Sequence, residues 1–191
     1  MEEGGSGPSS VGPAPEGKAS PGALPASAAT ADDLRWMEEA LRLARKGAGT
    51  PGASPIGAVV VLDGRVVGEG HNEVGIRHDP TAHAEIVAMR RACEALGRDE
   101  LRGAALYTTL QACGMCTMAS IWARVGRIVH GAERDQVHRM YFEDRHLDTM
   151  NFIRDSYRDD LVVIGRVLGE ECAALYHHPG DDVPREEQGN I

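Results

Sequence analysis

The sequence predicts an α/β fold: a three-layer α/β/α domain in which a mixed sheet of about five strands is flanked by helices. Two observations lead there. Apolar runs of strand length alternate with longer stretches whose apolar residues recur at helical spacing. One pair of runs is joined by the two-residue turn Asp63-Gly64, a hairpin signal, whereas later runs are separated by helical patterns. The order along the chain is helix, hairpin, helix, strand, helix, strand, irregular segment, strand, helix, with no internal repeat.

Folded sequence is expected from Asp32 to His178. In "DDLRWMEEALRLARK" Leu34, Met37, Leu41 and Ala44 share one face and charges occupy the other, so the first element is an amphipathic helix. "GTPGASP" ends it. Ile56–Leu62 and Arg65 to about Gly70 form the hairpin. "DPTAHAEIVAMRRACEAL" is the next helix, with Asp79 or Thr81 expected as its cap, Pro80 in its first turn, and Arg90 and Arg91 towards its C-terminal half. "AALYTTL" (Ala104–Leu110) reads as a strand, "CGMCTMASIWAR" as a helix starting at or near Cys113, and "GRIVHGA" as another strand. Residues 133–159 mix charge with Met140, Tyr141, Phe142 and Phe152 and yield only a loop and a short helix. "DLVVIGR" is the last strand and "VLGEECAALYHH" the last helix.

A chain of 191 residues accommodates one domain with tails. Residues 1–31, dominated by Gly, Pro, Ser and Ala, carry too little apolar surface to offset the entropy of ordering and are read as a disordered leader. Residues 179–191 are read as a flexible acidic tail. Aromatic residues are only 4% of the chain, so aliphatic side chains must fill the core. The net charge of −9 weighs against nucleic acid or an anionic membrane as the main partner. The start "MEEGG" is acidic with no apolar run behind it, so it is not a secretory signal. No run approaches the roughly 18 apolar residues of a membrane span. Four unevenly spaced cysteines do not form a disulfide scaffold. A cytoplasmic location follows as the expectation.

"TLQACGMCTMA" sets Cys113 and Cys116 three apart. That spacing alone leaves a redox pair, a structural zinc half-site and a catalytic metal site all open. Cys93 and Cys172 sit among apolar neighbours in separate helical patterns and read as buried hydrophobes, so a four-cysteine clip is disfavoured. Upstream, "DPTAHAEIVAM" sets His83 in the first turn of a helix with Glu85 two residues on. Helix N-termini carry unsatisfied N–H groups and a positive dipole end that favour thiolates. His83, Cys113 and Cys116 leave one tetrahedral zinc position open, as catalytic sites do, and Glu85 is then a nearby carboxylate free to move protons. The order H-x-E, then C-x-x-C, fits the pattern of zinc deaminases.

With those residues in view, the chain resembles the cytidine deaminase superfamily, on the branch holding guanine deaminases, fungal-type cytosine deaminases and tRNA adenosine deaminases. The stretches that carry the resemblance are "SPIGAVVVLDGRVVGEGHN", "HDPTAHAEI", "LYTTLQACGMCTMA" and "WARVGRIVHGAE". It implies a cytidine deaminase-like fold, Zn2+ held by His83, Cys113 and Cys116, and Glu85 as the proton shuttle of a hydrolytic deamination. It also implies that Asn72 hydrogen-bonds the substrate and that the Ala84 N–H is a further donor. Relatives usually have Glu-Pro before the first cysteine, where this chain has Gln111-Ala112. Ala112 can adopt the conformation Pro would impose, so the metal site is expected to survive.

For the substrate, the resemblance first implies guanine. Guanine deaminases recognise the base with an acidic residue after a Phe, and "YFEDRH" offers Phe142, Glu143 and Asp144 at comparable spacing, with Asp144 as the candidate. The bland reading of that stretch is a solvated loop with one buried Phe. Cytosine deaminases share "GHN" and "LYTTL" but usually have "LHGE" where this chain has "AHAE". The tRNA adenosine deaminases share "HDPTAHAEI" and resemble "GEECAAL" near the C-terminus, yet usually end in a basic helix, where this chain ends in "PGDDVPREEQGNI". A small-molecule nucleobase or nucleoside is therefore favoured over nucleic acid, with a non-catalytic zinc-containing binding domain as the rival from another class. A homodimer is expected by resemblance. His71 and His130 read as structural or pocket-wall residues, and Trp122 and the methionines of the Cys113 helix as core or subunit interface.

Overall fold

The computed structural model describes residues 28–142, 148–156 and 158–184. Helix α1 (Ala31–Ala48) opens on a reciprocal cap: the Asp33 N–H donates to Thr30 Oγ1 at 3.2 Å and the Thr30 N–H to the Asp33 carboxylate at 2.7 Å. The helix therefore starts just ahead of the expected Asp32. Its buried stripe holds Met37, Leu41 and Ala44 as read, together with Trp36, Ala40 and Leu43, whereas Leu34 is exposed.

Strands β1 (Ser54–Leu62), β2 (Arg65–Asn72), β3 (Ala105–Leu110), β4 (Arg127–Ala132) and β5 (Val162–Ile164) form one sheet in the order β2-β1-β3-β4-β5. β1 is antiparallel to β2 and β3, while β3, β4 and β5 are parallel. Asp63 and Gly64 both have left-handed φ, 51° and 71°, the backbone a tight hairpin needs.

Helices α2 (Val74–Arg77), α3 (Ala84–Leu96), α4 (Gly114–Trp122), α5 (Thr149–Asp155) and α6 (Gly169–Ala173) complete the element list, with short 3-10 turns at Arg134–Gln136 and Arg139–Tyr141. Two glycines let helices approach the sheet. A Cβ on Gly57 would lie 2.1 Å from the Ala40 carbonyl of α1, and one on Gly68 would lie 2.2 Å from the Ala88 carbonyl of α3. These two positions face opposite sides of the sheet. α1 and α6 cover one side and α3, α4 and α5 the other, which is the three-layer arrangement expected.

Three local expectations are corrected. Asp79 and Thr81 do not cap α3, and Pro80 is not in its first turn. Instead the Thr81 N–H and hydroxyl both donate to Asp79 Oδ1, at 2.8 and 2.6 Å, closing a side-chain turn that delivers the chain to the true N-cap, His83. The last helix spans only Gly169–Ala173, because Tyr176 is drawn to Thr109 and the His177 backbone bonds to Tyr141 and His138. Of the tail read as loose, Val183 is buried, and residues 185–191 lie outside the described part, as do residues 1–27 of the leader. No helix among the described residues is long and apolar enough to cross a membrane.

Candidate active site

The C-terminal end of β2, the start of α3 and the connection from β3 into α4 converge at one edge of the sheet. His83 and Cys113 are the N-cap residues of α3 and α4, both extended, with φ/ψ of −63°/154° and −68°/173°. Neither caps its helix through the side chain. A good capping residue at each position would contribute about 1 kcal/mol, so two helices forgo that stabilisation at the same point. Their positive dipole ends meet at one small volume, where the Cys116 N–H faces the Cys113 sulfur and the Glu85 N–H its own carboxylate.

His83 Nδ1 lies 3.7 Å from Cys113 Sγ and 3.7 Å from Cys116 Sγ, and the three donor atoms all fall within 4.8 Å of one another. A tetrahedral zinc with N and S bonds of about 2.0 and 2.3 Å needs N···S edges of roughly 3.5 Å, close to both distances from His83 to the cysteine sulfurs. Among the described residues this is the one such group of histidine, cysteine and acidic side chains.

The two cysteines are shifted in opposite directions. The hydrogen bond from Cys116, helped by His83 against the cost of burial, lowers the Cys113 thiol to about 4, while the same bond and burial push Cys116 up. Glu85 is 4% exposed; burial, and then the negative charge on Cys113, raise its affinity for a proton, with His83 opposing. A carboxyl group that accepts a proton more readily than usual, hydrogen-bonded to a metal-site thiol, is suited to proton transfer.

Asn72, at the end of β2, is 1% exposed. Its Oδ1 accepts the Val74 N–H at 3.2 Å, and its Nδ2 has no hydrogen-bond partner among the described residues. A buried unspent donor beside a metal-binding donor set points to an acceptor on a bound molecule. Ala84 is buried at the first position of the uncapped helix, where its N–H has no intrahelical acceptor. Asp144, with Glu143, lies outside the described residues; Phe142 just before it is buried under the Arg134 guanidinium at 4.3 Å.

Gln111 donates its N–H to the Ala132 carbonyl at 2.8 Å, and its Oε1 accepts the Arg134 N–H at 3.1 Å, so it fastens the end of β3 to the residues after β4. Cys172 is fully buried, with its thiol pushed up to about 12 by desolvation, an inert side chain as read; Cys93 is half-buried. His130 is structural: it meets Glu133 at 3.3 Å, which in turn accepts from Arg166 at 2.9 Å. Sequence reasoning missed Tyr176, whose hydroxyl lies 2.7 Å from Thr109 Oγ1 beneath the end of β3 and which feels the charge of Glu85. With the partners 67 positions apart in the sequence, no local pattern announces that bond.

Residues 30–132 match the family profile described as the cytidine and deoxycytidylate deaminase zinc-binding region. The chain is 50% identical over 103 residues to a tRNA-specific adenosine deaminase of Agrobacterium fabrum, covering 54% of this chain and 67% of that protein. It is 39% identical over 109 residues to a guanine deaminase of Bacillus subtilis, covering 57% and 70% respectively. Among solved structures, one from work on A-to-I editing by tRNA:A34 deaminases at the wobble position superposes with a TM-score of 0.63 at 38% identity, over 74% of this chain and 98% of that one.

Proposed function

The chain belongs to the cytidine and deoxycytidylate deaminase family, zinc-dependent hydrolases of C–N bonds, and within it we propose a deaminase that converts an adenine base carried in tRNA to hypoxanthine, consuming water and releasing ammonia. The observation that carries this reading is sequence identity: 50% over 103 residues to a tRNA-specific adenosine deaminase, against 39% over 109 residues to a guanine deaminase. This reverses the preference drawn from net charge. The leader, with Glu2, Glu3 and Glu16 against Lys18, and the tail, with Asp181, Asp182, Glu186 and Glu187 against Arg185, together carry −5 of the −9, and a whole-chain sum does not report the field around one site.

His83 through Nδ1, and Cys113 and Cys116 through sulfur, would hold the zinc. A bound zinc supplies a Lewis acid that brings the ionisation of a water molecule within reach of neutral pH. Glu85 takes a proton from the water, delivers it to the ring nitrogen beside the amino-bearing carbon, and returns a proton to the departing ammonia. The C–O bond forms first, making the ring carbon tetrahedral, and the C–N bond breaks afterwards, as the hydroxyl proton passes by way of Glu85 to the amino nitrogen and the carbonyl forms. The Asn72 amide and the Ala84 N–H supply donors that orient the base. The test is ammonia release from an adenosine-containing anticodon stem-loop, compared with free guanine. Glu85→Ala should keep about one zinc per chain while turnover falls by at least about a hundredfold.

A second reading, free guanine as substrate, is favoured by the 39% identity to a guanine deaminase. Asp144 would then be the acid that recognises the base.

We also infer a homodimer through α4. Met115, Met118 and Trp122 are 36%, 38% and 79% exposed on a helix whose buried face holds Cys116, Thr117 and Ser120. Large apolar side chains gathered on an exposed helix face call for cover. The charges at its rim are neutralised within the chain, Arg124 by Glu100 and Arg158 by Asp160, each at 2.8 Å. The face therefore offers apolar area rather than charge, and a second copy of itself is the self-complementary occupant.

A further inference from the structure

We propose that Glu73 is a positioning residue that sets Asn72 and His83 relative to each other, and so governs how tightly substrate is held; this rests on the reading of Asn72 as a substrate donor. Glu73 follows Asn72 directly, and its carboxylate is 8% exposed between two guanidiniums. Arg77 pairs with one oxygen and Arg91 Nη2 with the other at 2.9 Å. Arg91 belongs to α3, and its Nη1 also donates to the Glu69 carbonyl of β2 at 2.9 Å. The carboxylate therefore bolts the end of β2, and the α2 turn after it, to the helix whose first residues carry His83 and Glu85.

The backbone makes the second half of the link. The Glu73 N–H donates to the Ala82 carbonyl at 2.9 Å, one residue before His83, and its carbonyl accepts the Arg77 N–H at 2.9 Å. The Val74 N–H donates to Asn72 Oδ1 at 3.2 Å, which orients the amide and leaves Nδ2 unspent. Asn72 and His83 come from different elements, and Glu73 bonds to the neighbourhood of both. Fixing two such groups in advance avoids the ordering cost at the moment of binding.

The experiment uses the zinc-loaded full chain with Glu73→Gln, Arg91→Gln and the double variant. Arg91 is 44% exposed on its side chain, so its replacement tests the link even if the change at Glu73 prevents folding. For the stem-loop substrate, KM should rise about tenfold in either single variant with kcat within about twofold, and the double variant should be no worse than the singles. Amide hydrogen exchange should speed up at residues 72–77 and 82–83 and stay unchanged in α4, with zinc content unaltered. An unchanged KM, or KM effects that add in the double variant, would overturn the positioning role. Should the wild-type chain turn over no base, the deaminase reading fails on its own; exchange then decides the link, and unaltered protection at 72–83 rejects it.

Discussion

Two helices begin at a histidine and a cysteine that do not cap them, and the chemistry of the molecule starts from that substitution. Donor types that stabilise a helix poorly but bind a soft divalent ion well stand at both N-caps. His83, Glu85, Cys113 and Cys116 were legible in the sequence because each pair is local and its residue types are unusual at a helix start. Asn72 was reached only through resemblance; its buried, unspent amide is visible only in three dimensions. Glu73 with Arg91, and Thr109 with Tyr176, were not legible, since nothing near either partner marks the other across 18 or 67 residues. Replacing Asn72 by Ala should raise KM by about tenfold or more while leaving bound zinc unchanged, read by steady-state kinetics beside metal analysis.

At the scale of elements, the first helix and the hairpin followed from period and turn chemistry, while two helix boundaries did not. The side-chain turn of Asp79 and Thr81 imitates a cap four and two residues ahead of the real one, and a tyrosine bound to β3 stops α6 early. The start of α1 carries more than its cap. Asp33 is fully buried and accepts from Thr30, from the Tyr107 hydroxyl at 2.9 Å and from Arg127 at 2.7 Å, joining α1 to β3 and β4. Burial alone would raise its pKa, but those bonds together hold it below the ordinary 3.8. A lowered carboxyl stabilises the fold fully above its ordinary value, and that contribution disappears as pH falls through the folded value. Asp33→Asn should cost about 2–4 kcal/mol at neutral pH and leave a flatter loss of stability below about pH 4, measured by denaturant unfolding across pH. Thr30→Ala should cost about 1 kcal/mol at neutral pH.

For the whole molecule, the sheet brings the site together: three parallel strands end where α4 begins, and the antiparallel hairpin delivers Asn72 to the same edge. The mixed sheet and its layers could be read from element order, but the role of net charge could not, because tails and domain were summed together. The exposed stripe of α4 also belongs to this scale. Trp122→Glu should convert a dimer to a monomer in sedimentation velocity, since a buried carboxylate at the centre of an apolar face has no partner there.

The central claim is a zinc-dependent deamination of adenine carried in RNA. One sample decides it: the purified chain, its zinc quantified, incubated with an adenosine-containing anticodon stem-loop and, separately, with guanine. About one zinc per chain and inosine appearing in the stem-loop, lost on chelation, is the predicted result. Guanine consumed with the stem-loop untouched, or turnover that persists after the metal is removed, would contradict it.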